Sequence, residues 1–310
     1  MPNPTSDAGL HPLEKPAEPS RSVGENRLGA AKVGHSGTLD PFATGVLILL
    51  INRATKLAPF LLDQDKRYRF TVHFGVETDT QDSTGRVVAS CPCGPLPEGE
   101  ISKGCAAFLG DIEQRVPRFS AVRVGGQRLY RLARQGIEVT PPCRTVKIKN
   151  LDLCELNWPE VTFEVTCSKG TYVRSLGADL ACHLNCSGHV SKLRRLASGG
   201  FDLRQALTLK QFEQIVDKGE LDQNLISPAQ ALSNYPELRV SEVVASTIRQ
   251  GGRLNSREFL DSQSSLEGPY RVLDPDNNLV AMVSKSGQGA NGGHEGEITF
   301  KTLRVFGRIS

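Results

Sequence analysis

The sequence predicts an α+β protein that closes on a small β-rich C-terminal domain. Strand and helix patterns are mixed without a regular βαβ alternation. Clean two-residue apolar alternation marks a half-buried strand in the first third of the chain. Past a loosened stretch near 227–236, only short strand signals follow.

The elements follow in order. Residues 1 to about 30 are rich in Pro, Ser, Gly and charge, and are expected to be weakly ordered. Lys32 to Thr44, KVGHSGTLDPFAT, is a loop by its two glycines and one proline, and it runs into the apolar stretch Gly45 to Ile51. A short helical pattern covers Ala54 to Leu62. Tyr68, Phe70, Val72, Phe74 and Val76 then alternate with polar residues as a half-buried strand. TDTQDSTGR, 78 to 86, is turn-rich, and CPCGPLPEG leads into a helix near Ile101 to Leu109. Thr145 to Leu153 and Val161 to Cys167 read as strands, the second ending at the Lys169-Gly170 turn. A helix then sets Val173, Leu176, Leu180 and Leu184 on one face. Strand signals at Tyr270 to Leu273, Leu279 to Val283 and Leu303 to Phe306 make up the second domain, whose Gly-rich loop 284–297 is expected to be mobile.

A chain of 310 residues, 38% hydrophobic and 23% charged, has the composition of an ordinary globular protein. Its longest apolar run, Val46 to Ile51, falls short of the roughly 20 residues that cross a bilayer, so no membrane span is expected. The N-terminus has neither a basic nor an apolar signal region, which points to the cytoplasm. Eight scattered cysteines are expected to be reduced thiols. Cys91/Cys93 and Cys182/Cys186, with His183 nearby, do not match paired zinc spacing, and no metal is expected.

Net charge is only +3, but its distribution is uneven. Between Gln114 and Gln135 lie six arginines, at 115, 118, 123, 128, 131 and 134, with no acidic residue and with Phe119 and Tyr130 interleaved. Lys192, Arg194 and Arg195 form a second cluster. Like charges repel unless a polyanion is present, so these segments predict contact with RNA or DNA.

His35, Thr38, Asp40 and Thr44 sit within ten residues on the glycine-bearing loop. A phosphate-binding P-loop fails, because no Lys-Ser or Lys-Thr follows the second glycine. What remains is one carboxylate on a tight turn, flanked by Leu39 and Pro41, which keep water away. KVGHSGTLDPFATGVL, ATKLAPFLLDQDKRYRF and GVETDTQDSTGRV resemble the signature region of the TruB-type tRNA pseudouridine synthases. The similarity continues through RVPRFSAVRVGGQRLYRLARQGIEV, CSKGTYVRSLGADL and VSKLRRLASGGF, covering roughly 32 to 205. IRQGGRL and LRVFG are more loosely similar to the PUA domain that closes the bacterial members.

The resemblance implies a pseudouridine synthase catalytic domain at 31–230, with a mixed, mainly antiparallel sheet, and a PUA-like RNA-binding domain at 237–310. It makes Asp40 the catalytic aspartate, Tyr68 the tyrosine stacked on the target base and Arg174 the arginine paired with the aspartate. His35 becomes the histidine that stabilises the flipped-out RNA, and Leu193 a leucine lining the pocket. Thr38 of the loop, Lys169 and Tyr172 of the CSKGTYVRSLGADL block, and Arg128 and Arg194 of the basic clusters complete the candidate substrate contacts. The implied substrate is uridine 55 in the T-arm of tRNA. No cofactor, metal or protein partner is implied, and a monomer is expected. Lys15-Pro16 is kept from the family's opening, but the connection after it is shorter, charged and broken by prolines. Arg118 and Arg123 stand where the family more often has a proline and a lysine.

The chemistry asks for the same residue types. Breaking a glycosidic bond and rejoining the ring through C5 needs a nucleophile that attacks C1′ or C6 and later leaves, as a carboxylate does. In an apolar pocket such a nucleophile needs a contacting cation to stay charged. A stacked base must first be flipped out, at about a few kcal/mol, part of which a stacking tyrosine recovers. Two other readings remain open on the residues alone. One is a tRNA-binding or RNA-folding protein without turnover, resting on the arginine stretch. The other is a metal-dependent nuclease built on Asp79 and Asp82, a pair that reads better as hydrogen-bonded turn chemistry.

Overall fold

The computed structural model describes residues 10–15, 32–252, 254–255, 268–288 and 298–307. Strands β1 (Leu10–Lys15), β2 (Val33–Ser36), β3 (Thr44–Ile51) and β4 (Lys66–Phe74) open the chain. β5 (Val76–Thr78) and β6 (Val87–Ser90) form a hairpin, and β7 (Gly110–Arg115) follows the helix Glu98–Ala106. A second, very short hairpin, β8 (Arg123–Val124) and β9 (Gln127–Arg128), leads into the helix Leu129–Arg134. β10 (Cys143–Asn157), β11 (Glu160–Cys167), the helix Val173–His183 and β12 (Gly188–Ser198) follow, with short β13 (Phe201–Asp202) and β14 (Leu207–Thr208) after them.

The main sheet runs β14-β1-β3-β12-β4-β11-β10-β7, with β13 on β12 and β2 on β3. Its pairings are antiparallel except β1 with β14 and β12 with β3. A second, five-stranded sheet comprises β15 (Glu237–Arg239), β16 (Leu254–Asn255), β17 (Pro269–Leu273), β18 (Leu279–Gln288) and β19 (Ile298–Val305), in the order β15-β17-β18-β19-β16. The fold is thus α+β with a mainly antiparallel sheet and a β-rich C-terminal part, as the sequence predicts.

β3 explains how these layers join. A strand buried on both faces reads as a continuous apolar run, and TGVLILLI is one. Leu47, Leu49 and Ile51 point into a core shared with Phe70, Val72, Phe163 and Leu176. Val46, Ile48 and Leu50 point the other way, against Phe201, Leu232, Leu273, Leu279, Met282 and Phe306. The second sheet therefore packs directly behind the strand that follows the candidate catalytic loop. Its far face holds a further core of Leu238, Val240, Ile248, Tyr270, Val272 and Val283.

Several expectations are corrected. The segment 1–30 is not uniformly weakly ordered: β1 pairs with β3 from Leu10↔Leu50 to Lys15↔Gly45. Ladder hydrogen bonds use the backbone, so a sequence poor in apolar pattern still completes the edge of a buried strand. The other residues of 1–31 lie outside the described residues. Val76 does not extend the strand of Tyr68 to Phe74, because Gly75 at φ 92° turns the chain into the β5–β6 hairpin. The 54–62 segment is a 3₁₀ turn over Asn52–Leu57 followed by the helix Ala58–Leu62. Of the Gly-rich loop 284–297, residues 284–288 belong to β18 and the rest lie outside the described residues. The cysteines are not all free thiols: Cys93 and Cys186, with Cα atoms 6.0 Å apart, form a disulfide. The loop after β6 folds onto the turn after Val173–His183, a contact 93 residues apart that local spacing does not report. Among the described residues no cluster of His, Cys, Asp and Glu forms a metal site, and no helix is long and apolar enough to cross a membrane.

Candidate active site

The loop between β2 and β3 carries Asp40. β2 pairs with β3 through His35↔Leu49 and Ser36↔Ile48, so residues 37–43 bulge out of an otherwise closed hairpin. Pro41 follows Asp40 with its φ fixed by the ring, and the Ala43 N–H closes the turn on the Asp40 carbonyl at 3.0 Å. At the foot of the loop, Gly45 has a φ of 100°, and a Cβ there would lie 2.2 Å from the Arg195 carbonyl oxygen. Only glycine lets β3 approach β12 this closely, which fixes the loop against the strand carrying Leu193 and Arg195.

Arg174 reaches the loop from the first turn of Val173–His183. Gln114, fully buried on β7, accepts from the Tyr172 N–H at 2.7 Å and donates to the Tyr172 carbonyl at 3.0 Å, which fixes the start of that helix. The Arg174 side chain is 4% exposed, and its guanidinium grips the carboxylate of Asp40 with two bonds, Nε to Oδ2 at 2.9 Å and Nη2 to Oδ1 at 3.3 Å. Nη1 donates to the Thr80 carbonyl at 2.8 Å and Nη2 to the Phe119 carbonyl at 3.1 Å. Asp82 Oδ2 lies 3.5 Å from Nη1. With the fork held on the far side, only one orientation is left for the edge that meets Asp40. Asp40 keeps 31% of its side chain exposed, so the carboxylate stays reachable.

A cavity of about 320 Å³ opens beside this pair, lined by Thr38, Asp40, Tyr68, Tyr172 and Leu193, with Lys66 and Arg195 among its other walls. Tyr68 and Leu193 stand on adjacent strands, with Tyr68 opposite Arg195 and Phe70 opposite Leu193. Burial raises the phenol of Tyr68 above its ordinary value, and the Arg195 guanidinium beside it acts in the opposite sense. Tyr68 is neutral at working pH.

Asp40, Arg174, Tyr68, Leu193, Thr38 and Tyr172 are thus brought together. The remaining candidates lie around them. His35 sits on β2, outside the cavity wall. Lys169 lies on the turn before Tyr172 and is ion-paired with Asp63. Arg194 lies on β12 in register with Arg69 of β4. Arg128 is exposed at the base of the β8–β9 hairpin, opposite Arg123. The arginine-rich segment is contiguous with the site, since its Phe119 carbonyl is one of the Arg174 acceptors. Within that segment, hydrogen bonding by Arg131 and Arg128 lowers the phenol of Tyr130, a mark of dense local positive charge.

Asp82 is the residue the sequence reading passes over. Asp79 behaves as turn chemistry, accepting the Arg86 N–H at 2.9 Å. Asp82 accepts from Thr80 Oγ1, Thr84 N and Thr84 Oγ1 at 2.7, 2.9 and 2.6 Å, yet is buried and turns its second oxygen to Arg174. Nothing local in TDTQDSTGR separates the two aspartates; only the fold does.

Comparison with known proteins gives the family. Residues 25–173 match the family model described as TruB family pseudouridylate synthase, N-terminal domain, and residues 174–233 match that of the tRNA pseudouridylate synthase B C-terminal domain. The chain is 42% identical over 282 residues to the tRNA pseudouridine synthase B of Syntrophobacter fumaroxidans, covering 89% of this chain and 92% of that protein. It is 43% identical over 244 residues to that of Ruegeria pomeroyi, covering 77% and 80%. Among solved structures, the crystal structure of a Cbf5-Nop10-Gar1 complex contains a chain of the same fold, with a TM-score of 0.75 at 23% identity over 96% of this chain and 84% of that one. Two consecutive family matches and relatives of more than 40% identity along most of both chains leave one assignment: the chain belongs to the TruB family of pseudouridylate synthases.

Proposed function

We propose that this chain isomerises uridine 55 in the T-arm of tRNA to pseudouridine, with Asp40 as the nucleophile. The observation that carries the proposal is the two-pronged Arg174–Asp40 pair at the wall of a cavity that Tyr68 and Leu193 share. Relatives named tRNA pseudouridine synthase B support tRNA as the substrate class.

The steps follow from the side chains. Arg128, its neighbours and Arg194 neutralise phosphates and hold the T-arm over the cavity. The target uridine leaves the stack, with His35 supporting the opened RNA conformation, and enters between Tyr68 and Leu193. Stacking on Tyr68 returns about 1–3 kcal/mol of the flipping cost. Thr38, Tyr172 and Lys169 line the approach. Asp40, aimed by Arg174, bonds to the nucleotide while the ring detaches, turns and rejoins through C5.

The test is positional. A tRNA transcript is incubated with the protein, treated with a carbodiimide that forms a stable adduct with pseudouridine, and read by primer extension. One enzyme-dependent stop, immediately 3′ of nucleotide 55, is expected, and it disappears when that uridine is replaced by cytidine. Tight tRNA binding with no stop anywhere would instead make this a binding protein without turnover. A stop at another position would refute the assignment of nucleotide 55.

A further inference from the structure

Two further cations line the cavity. Arg195 is 1% exposed and is among the largest fully buried side chains of the described residues. Its Nε donates to the Val46 carbonyl at 2.7 Å and its Nη2 to the Gly37 carbonyl at 3.0 Å, so it also ties together the two ends of the catalytic loop. Lys66 is buried two residues before Tyr68 on β4, on the same face of that strand. Its Nζ donates to the Leu62 and Gln64 carbonyls. Among the described residues, neither Lys66 nor Arg195 has a carboxylate within ion-pair distance. The nearby acids are already taken, Asp63 by Lys169 and Asp65 by Lys149, and Asp40 is held by Arg174.

Burying a cation with no carboxylate in contact is costly, and burying two like charges side by side costs more. Such an arrangement is retained where negative charge appears during the reaction, because fixed cations in a water-poor site stabilise it without reorganising. Resting on the function proposed above, we propose that Lys66 and Arg195 form a cationic floor that stabilises the uracil ring while it carries negative charge. The charge arises from the bond changes themselves. When a carboxylate oxygen of Asp40 bonds to C1′, the N1–C1′ bond breaks and its electron pair passes to the ring, where O2 and O4 share it. When the ring rejoins, C5–C1′ forms, the Asp40 oxygen leaves with its pair, C5 gives up its proton and N1 gains one. If Asp40 adds to C6 instead, the displaced C5–C6 pair is shared by C5 and O4. Either route puts an anion in the cavity.

The alternative is that Lys66 only caps the helix Ala58–Leu62, whose last carbonyl, that of Leu62, it meets. Titration separates the two. The titratable groups facing Lys66 are Arg195 from β12, the thiol of Cys167 from β11, which burial pushes up to about 11, and Asp63 and Asp65 from its own turn. Burial first, and then Arg195, bring the ammonium down to about 8. Its charge is therefore present below that pH and lost above it.

The experiment is single-turnover pseudouridine formation on tRNA at saturating enzyme, from pH 6.5 to 9, with tRNA affinity measured alongside. The wild-type rate should fall above about pH 8. Lys66→Arg should stay active with that alkaline fall removed. Lys66→Gln and Arg195→Met should lose about 100-fold in rate, with tRNA affinity changed less than about threefold. Lys66→Gln at the wild-type rate would overturn the proposal. So would a Lys66→Arg protein, folded by circular dichroism, that keeps the wild-type alkaline fall; this second arm holds even if Lys66→Gln does not fold. A wild type that forms no pseudouridine on any tRNA would refute the proposed function itself, a separate outcome.

Discussion

An arginine buried against a carboxylate gains only if its whole fork is satisfied, and Arg174 meets that condition. Asp40, the Thr80 and Phe119 carbonyls and Asp82 surround it on every donor-bearing side. Lysine keeps the charge and loses the fork. Arg174→Lys should therefore lower single-turnover pseudouridine formation by about 100-fold or more while tRNA affinity stays within about threefold, since in the proposed function the pair aims Asp40 and leaves RNA binding to other residues. An unchanged rate would show that the two-pronged geometry is dispensable. Asp40 and Arg174 are legible in the sequence because whole blocks around them match a family pattern. Asp82, Lys66 and Arg195 are not, because their roles come from contacts between segments: Asp82 with a helix some 90 residues on, and Arg195 with carbonyls at the two ends of the Asp40 loop.

At the scale of elements, the arginine-rich segment resolves into the β8–β9 hairpin and the helix Leu129–Arg134, joined to the site through Phe119. Arg123 and Arg128 are paired across that hairpin, so their charges sit together. Replacing both with Gln should weaken tRNA binding and reduce the slope of log K against log salt by about 2, at roughly 0.9 for each phosphate no longer neutralised. The rate at saturating enzyme should be nearly unchanged. An unaltered salt slope would remove the hairpin from the RNA surface. Strands β4 and β11 can be read from alternation, and Val173–His183 from helical spacing, because each buries one face. β12 carries arginines among its apolar residues and β1 contains a proline, and neither has a pattern to read. Their place is set by the ladders of β3 and β4.

Across the whole molecule, the second sheet shares a core with the catalytic one. Met282 is fully buried beside Ile48 and Leu50, on the reverse side of the strand that anchors the Asp40 loop. Met282→Ala should cost about 2–5 kcal/mol and lower the midpoint of one common urea transition followed by both fluorescence and circular dichroism. Two separated transitions, with only the later one shifted, would show that the sheets fold independently. The sequence announces a β-rich C-terminal part but not this junction, since β3 reads as a buried strand whatever lies behind it. The Cys93–Cys186 bridge is hidden for the same reason: which loops meet is a property of the assembled layers.

In the function proposed above, the carboxylate of Asp40 does the chemistry. Its most direct test is tritium release from tRNA labelled at uracil C5, by the wild type and by Asp40→Asn, at enzyme concentrations that bind all the RNA. Release by the wild type and none above background by Asp40→Asn is expected, with both proteins binding tRNA equally. Equal release by both would contradict that role for Asp40.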